Sequence, residues 1–211
     1  SDTLGMVYVA GDDTTDNITA VTWGGVSMTK IAAVQVPGDR WLSAWWVANP
    51  SSSATIAFTG GSFWRACSSY YTGCKQTGQV DSSNTGTSSA STAITVATTV
   101  VASNCWYVMF QKDQIGGTVY TPSGVLVSTR LDTDAGGIAV ADSNGTVGTG
   151  SQSGTMTCGS NGNHAAIAFS IAPTVAAGPT NLKSLDGNVK ANIKSFDGNV
   201  IANMKSLSGN S

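Results

Sequence analysis

The chain has 211 residues, 41% of them hydrophobic and 10% charged, which is enough apolar material to bury a core and too much for a disordered chain. Ten Lys and Arg against twelve Asp and Glu leave a net charge of −2 with no basic run, which excludes a nucleic-acid binder that neutralises rows of phosphates and a polybasic membrane-surface anchor. No segment approaches the ~18 consecutive apolar residues of a membrane-spanning helix, and 25 Gly with long Ser/Thr/Ala stretches favour a secreted or particle-borne β protein over a cytosolic enzyme.

In chain order, short apolar runs bounded by Gly, Pro, Asn and Ser predict strands at 6–10, 20–23, 30–34, 41–47, 55–58, 63–71, 93–101, 105–111, 124–129, 137–141, 154–158 and 164–172. No helix-length amphipathic stretch lies between them, so parallel sheets lack their crossovers. The expected fold is all-β, an antiparallel jelly-roll-like sandwich over residues 1–173. Residues 174–180 read as a linker.

Trp23-Gly24-Gly25-Val26-Ser27-Met28-Thr29, then Trp45-Trp46, Asn49-Pro50 and Thr55-Ile56-Ala57-Phe58-Thr59-Gly60 give one stretch a distinctive pattern. It resembles a β-sandwich domain that recurs in tailed-phage virion proteins and bacterial surface proteins. The resemblance continues through 66–84, expected to be a buried strand followed by a long Ser/Thr loop, and ends at the 164–173 strand. It implies a sandwich in a virion, or on a bacterial surface or secreted, and no particular reaction.

Residues 181–211 repeat themselves at intervals of eleven: KSLDGNVKANI, KSFDGNVIANM, KSLSGN. Leu182, Leu185, Val189, Ile193, Phe196, Val200, Met204 and Leu207 follow the eleven-residue spacing of a right-handed coiled coil. Gly187, Gly198 and Gly209, beside Asp and Asn, oppose a helix, and strand-turn units stacked as a small solenoid or fibre are the preferred reading. Either way, eleven residues cannot bury an apolar face alone, so these eight side chains are the expected assembly surface of a repeat extension.

The chemistry-bearing residues are few. His164 is the only histidine, is expected at a sheet edge, and has no nucleophile elbow to serve, because Gly150-Ser151-Gln152-Ser153-Gly154 places its serines wrongly. Asp12, Asp13 and Asp16 offer oxygens but lack the spacing of a calcium loop and are expected in a solvated turn; Asp132 and Asp134 share that ambiguity. Cys67, Cys74, Cys105 and Cys158 lack C-x-x-C spacing, which argues against zinc and leaves disulfides and buried thiols both open. Trp41, Trp45 and Trp46 invite a sugar-stacking role, although alternation along their strand puts at least one of them in the core.

The sequence therefore predicts a non-enzymatic structural virion protein of a tailed phage: a capsid decoration, neck or tail-appendage subunit. It would have no cofactor, no metal and no nucleic-acid or membrane partner. Its expected partners are other virion structural proteins and copies of itself, with a trimer favoured. The alternative is a glycan-binding adhesion module that meets a cell-surface glycan.

Overall fold

The computed structural model describes residues 2–13, 15–38, 40–51, 55–61, 64–115, 119–133, 137–174, 184–185 and 188–189; of residues 64, 133, 184, 185, 188 and 189 it describes the backbone alone. The chain divides into two compact units, Ser1–Thr174 and Val175–Ser211.

The first unit is all-β, with no helix among the described residues. Its strands are β1 (Thr3–Gly11), β2 (Ile18–Trp23), β3 (Val26–Ser27), β4 (Thr29–Val36), β5 (Arg40–Ala48), β6 (Ile56–Gly60), β7 (Trp64–Thr72), β8 (Val80–Val100), β9 (Trp106–Asp113), β10 (Tyr120–Gly124), β11 (Ser128–Thr133), β12 (Ile138–Asp142) and β13 (Gly150–Ile171). All pairings are antiparallel. They form a three-stranded sheet β3-β2-β6, a four-stranded sheet β4-β5-β1-β7, and a six-stranded sheet β10-β13-β9-β12-β11 with β8 on β13.

Alternation along the strands distributes side chains among three main cores, with a small fourth cluster of Val100, Cys105 and Ala172. From β1, Val7 and Val9 join Trp41 and Trp45 of β5 against Val21 and Trp23 of the three-stranded sheet. The other face of β1, with Leu4, Met6 and Tyr8, meets Val108, Phe110, Ile167 and Phe169 of the six-stranded sheet. Because both faces of β1 are covered, it is buried throughout and reads as an almost unbroken apolar run. Tyr107, Met109, Ala166 and Ala168, on the far face of the six-stranded sheet, pack with Ile94, Val96 and Met156.

That third core requires the long strands to double over. Cys158 Sγ lies 3.7 Å from His164 Nε2, although six residues of straight strand would separate them by ~20 Å. In β8, Thr98 Oγ1 donates to Ser82 Oγ at 3.0 Å and Asn84 Nδ2 to the Ala97 carbonyl at 2.8 Å. Ala90, with φ of 48°, marks the bend in β8. In β13 the register with β8 shifts between Thr157 and Gly162 and again before His164. Close approach of the two arms needs a small residue: a Cβ on Gly86 would stand 2.9 Å from Val96 Cγ2.

Several expectations change here. Of the 66–84 stretch, expected as a buried strand and a Ser/Thr loop, β7 is exposed or half-buried from Arg65 to Thr72, and residues 80–84 are not loop but the start of β8, held to β13 by cross-strand hydroxyl pairs such as Ser82 with Ser170 at 2.8 Å. The strand expected over 124–129 is interrupted: β10 ends at Gly124, whose φ is +71°, and β11 begins at Ser128. The two strands expected at 154–158 and 164–172 are one bent strand, β13.

In the second unit, β14 (Ser184–Leu185) and β15 (Asn188–Val189) pair antiparallel, Ser184 opposite Val189 and Leu185 opposite Asn188. Leu182, Ile193, Phe196, Val200, Met204 and Leu207, and the side chains of Leu185 and Val189, lie outside the described residues.

Candidate functional site

The tryptophans proposed for sugar stacking do not form an exposed platform. Trp41 is 1% exposed and Trp45 5%, both in the core beneath the three-stranded sheet, and Trp46 is half-buried against the central core. Trp45 Nε1 donates to Ser43 Oγ at 3.0 Å, which satisfies its polar atom inside the core. A Cβ on Gly11 would stand 2.3 Å from the Trp41 indole, so the backbone lies directly against that ring.

The acidic turn is also spoken for. Asp16 accepts from Lys30 Nζ at 2.7 Å and from the Ile18 amide at 3.1 Å. Asp12 Oδ1 lies 3.4 Å from Arg40 Nε and 3.9 Å from Lys112 Nζ, and Arg65 Nη1 approaches its other oxygen at 3.7 Å. These carboxylates face side-chain cations, which opposes a calcium loop. Burial brings the ammonium of Lys112 down to about 8, with the nearby Arg40 adding to the effect. Asp132 Oδ2 accepts from the Tyr120 amide at 2.9 Å, and Asp134 lies outside the described residues.

An open cavity of 480 Å³, within the usual ligand range of ~300–1,000 Å³, lies among the C-terminal end of β7, the start of β9 and the β11–β12 edge. Tyr71 and Trp106 form one wall, rings edge-on with centroids 5.9 Å apart, and the 45%-exposed Tyr70 stands at the rim. Arg130 grips Asp142 with two hydrogen bonds, Nε to Oδ2 at 2.7 Å and Nη2 to Oδ1 at 2.9 Å. Arg130 Nη2 also reaches Asn144 Oδ1 at 2.8 Å, and the Tyr71 hydroxyl donates to Asp142 at 3.4 Å. Burial first, then the Asp142 carboxylate, hold the Tyr71 phenol protonated far above its ordinary range. The site is an aromatic wall beside a fixed polar fork. It offers stacking surface and directional hydrogen bonds.

A second polar cluster is sealed at the bend of β8 and β13. His164 is 0% exposed, sits centrally between β8 and β9, and so is not at a sheet edge. It stands opposite Asp113 in the β13–β9 register, while Cys158 stands opposite Tyr120 in the β13–β10 register. The bend brings the two cross-strand pairs together, and the Tyr120 hydroxyl donates to Asp113 Oδ2 in a short hydrogen bond. His164 Nε2 is 2.8 Å from the Ser91 carbonyl oxygen and Nδ1 is 3.3 Å from the Gln111 carboxamide. Ligand atoms of Asp113, Cys158 and His164 all lie within 4.8 Å of one another. The sequence reading missed this set because no local motif joins 113 to 158; the available signal was Cys158 and the sole histidine six residues apart across Gly-Ser-Asn-Gly-Asn.

All four cysteines are thiols; Cys74, Cys105 and Cys158 are buried, and Cys67 is partly so. Burial pushes Cys67 up to about 12 and Cys74 and Cys105 up to about 11, which makes these three poor nucleophiles. No known protein family, curated protein or solved structure matches the chain.

Proposed function

We propose that the protein is a structural subunit of a tailed-phage virion, with residues 1–173 as its body and residues 181–211 as its attachment to neighbours. The observation that carries this reading is the division at Thr174/Val175 between a densely layered β unit and a unit built of eleven-residue repeats. The proposal includes a jelly-roll-like connectivity for the body, a stack of repeats as the extension, and a homo-oligomeric, preferably trimeric, assembled state. Leu182, Leu185, Val189, Ile193, Phe196, Val200, Met204 and Leu207 would be covered on assembly, each worth ~1.5–3 kcal/mol when fully buried. The test is a chain ending at Thr174. It is expected to stay folded by circular dichroism while losing oligomeric mass in light scattering and incorporation into particles. Unchanged mass and incorporation would remove the assembly role.

A second reading, a glycan-binding adhesion module, is favoured by the cavity beside Trp106, whose aromatic wall and Arg130–Asp142 fork match the two needs of saccharide recognition. It moves the sugar platform from Trp41 and Trp45, which are buried, to Tyr71 and Trp106. Glycan-array binding that Trp106→Ala reduces at least tenfold would support it, whereas binding unaffected by that substitution would not.

A further inference from the structure

The sealed cluster at the β8–β13 bend brings together three metal-ligating side chains, each also held by a hydrogen bond: Cys158 Sγ donates to the Ser160 carbonyl at 3.1 Å, His164 meets Ser91 and Gln111, and Asp113 accepts from Tyr120. It gathers one carboxylate, one thiol and one imidazole from β9 and the two arms of β13, all buried: Asp113 0%, Cys158 4% and His164 0% exposed. Bonds of about 2.0–2.3 Å from a tetrahedral zinc would place its nitrogen, sulfur and oxygen ligands roughly 3.3–3.8 Å apart. The 3.7 Å between Cys158 Sγ and His164 Nε2 meets that spacing. The Ser91 carbonyl oxygen of β8 stands at hydrogen-bond distance from Nε2, 2.8 Å, and would have to move outward by about half an ångström to serve as a fourth ligand.

A second, independent observation comes from Gln111. Its side chain is 0% exposed, its amide nitrogen sits 3.3 Å from His164 Nδ1, and its carboxamide oxygen has no hydrogen-bond partner. Turning the carboxamide over puts that oxygen where Nδ1–H donates to it. The imidazole then carries its proton on Nδ1, the outer hydrogen bond that orients metal-bound histidines, and its bare Nε2 faces both Cys158 Sγ and the Ser91 carbonyl oxygen, two acceptors that a cation among them would reconcile.

We propose that Asp113, Cys158 and His164 form a structural zinc site that pins the bend. One Zn²⁺ bound by a carboxylate and a thiolate is electrically neutral, which suits a buried position. Binding releases the Cys158 thiol proton to water, while the imidazole keeps its single proton, moved to Nδ1. Burial of all three side chains opposes a catalytic role, because a substrate has no route to them. The fold-back is the feature the site serves: it ties β9 to both arms of β13, whose ligands lie six residues apart on one strand.

Full-length protein purified from zinc-supplemented medium is expected to carry about one zinc per chain by elemental analysis. Replacement by Co²⁺ is expected to give visible tetrahedral bands and a near-ultraviolet thiolate charge-transfer band. Both should vanish in Cys158→Ser and His164→Asn and persist in Cys67→Ser. Should those variants fail to fold, wild-type protein refolded with zinc is expected to melt about 10 °C above protein refolded with chelator. Metal-free protein after refolding in zinc, a cobalt spectrum without the thiolate band or unchanged in Cys158→Ser, or equal melting temperatures would each overturn the proposal.

Discussion

The six-stranded sheet carries two polar clusters that differ in composition and in their access to water. At the β8–β13 bend, Asp113, Cys158 and His164 are sealed, and whatever they hold must be small enough to be enclosed as the strands double over. At the β11–β12 edge, Asp142 is as deeply buried, but its partner Arg130 is 40% exposed and the neighbouring aromatic rings open onto a cavity. A buried carboxylate therefore serves different ends in the two: beside a thiol and an imidazole in an enclosed set it suits a bare ion and holds the fold, whereas beside a guanidinium and aromatic rings in an open set it suits a molecule and holds less of it. Substitutions at the two places should separate stability from binding.

The largest effect is expected at the sealed end. His164→Ala removes a fully buried ring and strands the Ser91 carbonyl and the Gln111 carboxamide, costing about 4 kcal/mol in urea denaturation even without metal. A loss below about 1 kcal/mol would mean that the bend tolerates water and is not sealed. At the open end, Arg130→Leu leaves the Asp142 carboxylate with the Tyr71 hydroxyl and the Asn144 amide. Exposure of the guanidinium screens the pair, so the expected loss is about 2 kcal/mol, smaller than at His164. Equal losses at the two sites would erase the contrast between them.

How much of this was legible in the sequence follows from the range of the forces involved. The alternation that buries Trp41 and Trp45 on one side of β5 and turns Leu42 and Ala44 to the other is a nearest-neighbour property, and the strand shows it directly. The bend was not legible. Gly159-Ser160-Asn161-Gly162-Asn163 reads as a turn between two strands, and a bulged strand that doubles over has the same residues. The Ser/Thr run of β8 was misread for a related reason: hydroxyl side chains look like a loop until a partner strand supplies matching hydroxyls, as Thr155 does for Thr95 at 2.8 Å. The sealed cluster depends on that bend, so it stayed hidden with it. The cavity depends on Tyr71 meeting Trp106 from a separate sheet, a contact between strands far apart in the chain.

The smallest expected effect uses pH to compare the thiols outside the bend with the bend itself. Cys67 titrates near 12 in the folded protein against an ordinary 9, because burial disfavours its thiolate. A thiol raised in this way stabilises the fold below about pH 9, and that stability is lost as pH rises toward 12, since the unfolded chain gives up the proton first. Cys74 and Cys105, both pushed up to about 11, act in the same direction, while Lys112, brought down to about 8, acts against them between about 8 and 10.5. Three thiols against one ammonium make the net slope downward above pH 9. Between pH 9 and pH 10, Cys67→Ala should therefore lose about 1 kcal/mol less stability than the wild-type chain. Parallel urea melts of the two proteins at both pH values measure this difference directly. If the decline from pH 9 to pH 10 is identical in both, the Cys67 thiol is no more shielded from water than in the unfolded chain, and the burial of that face of β7 would have to be redrawn.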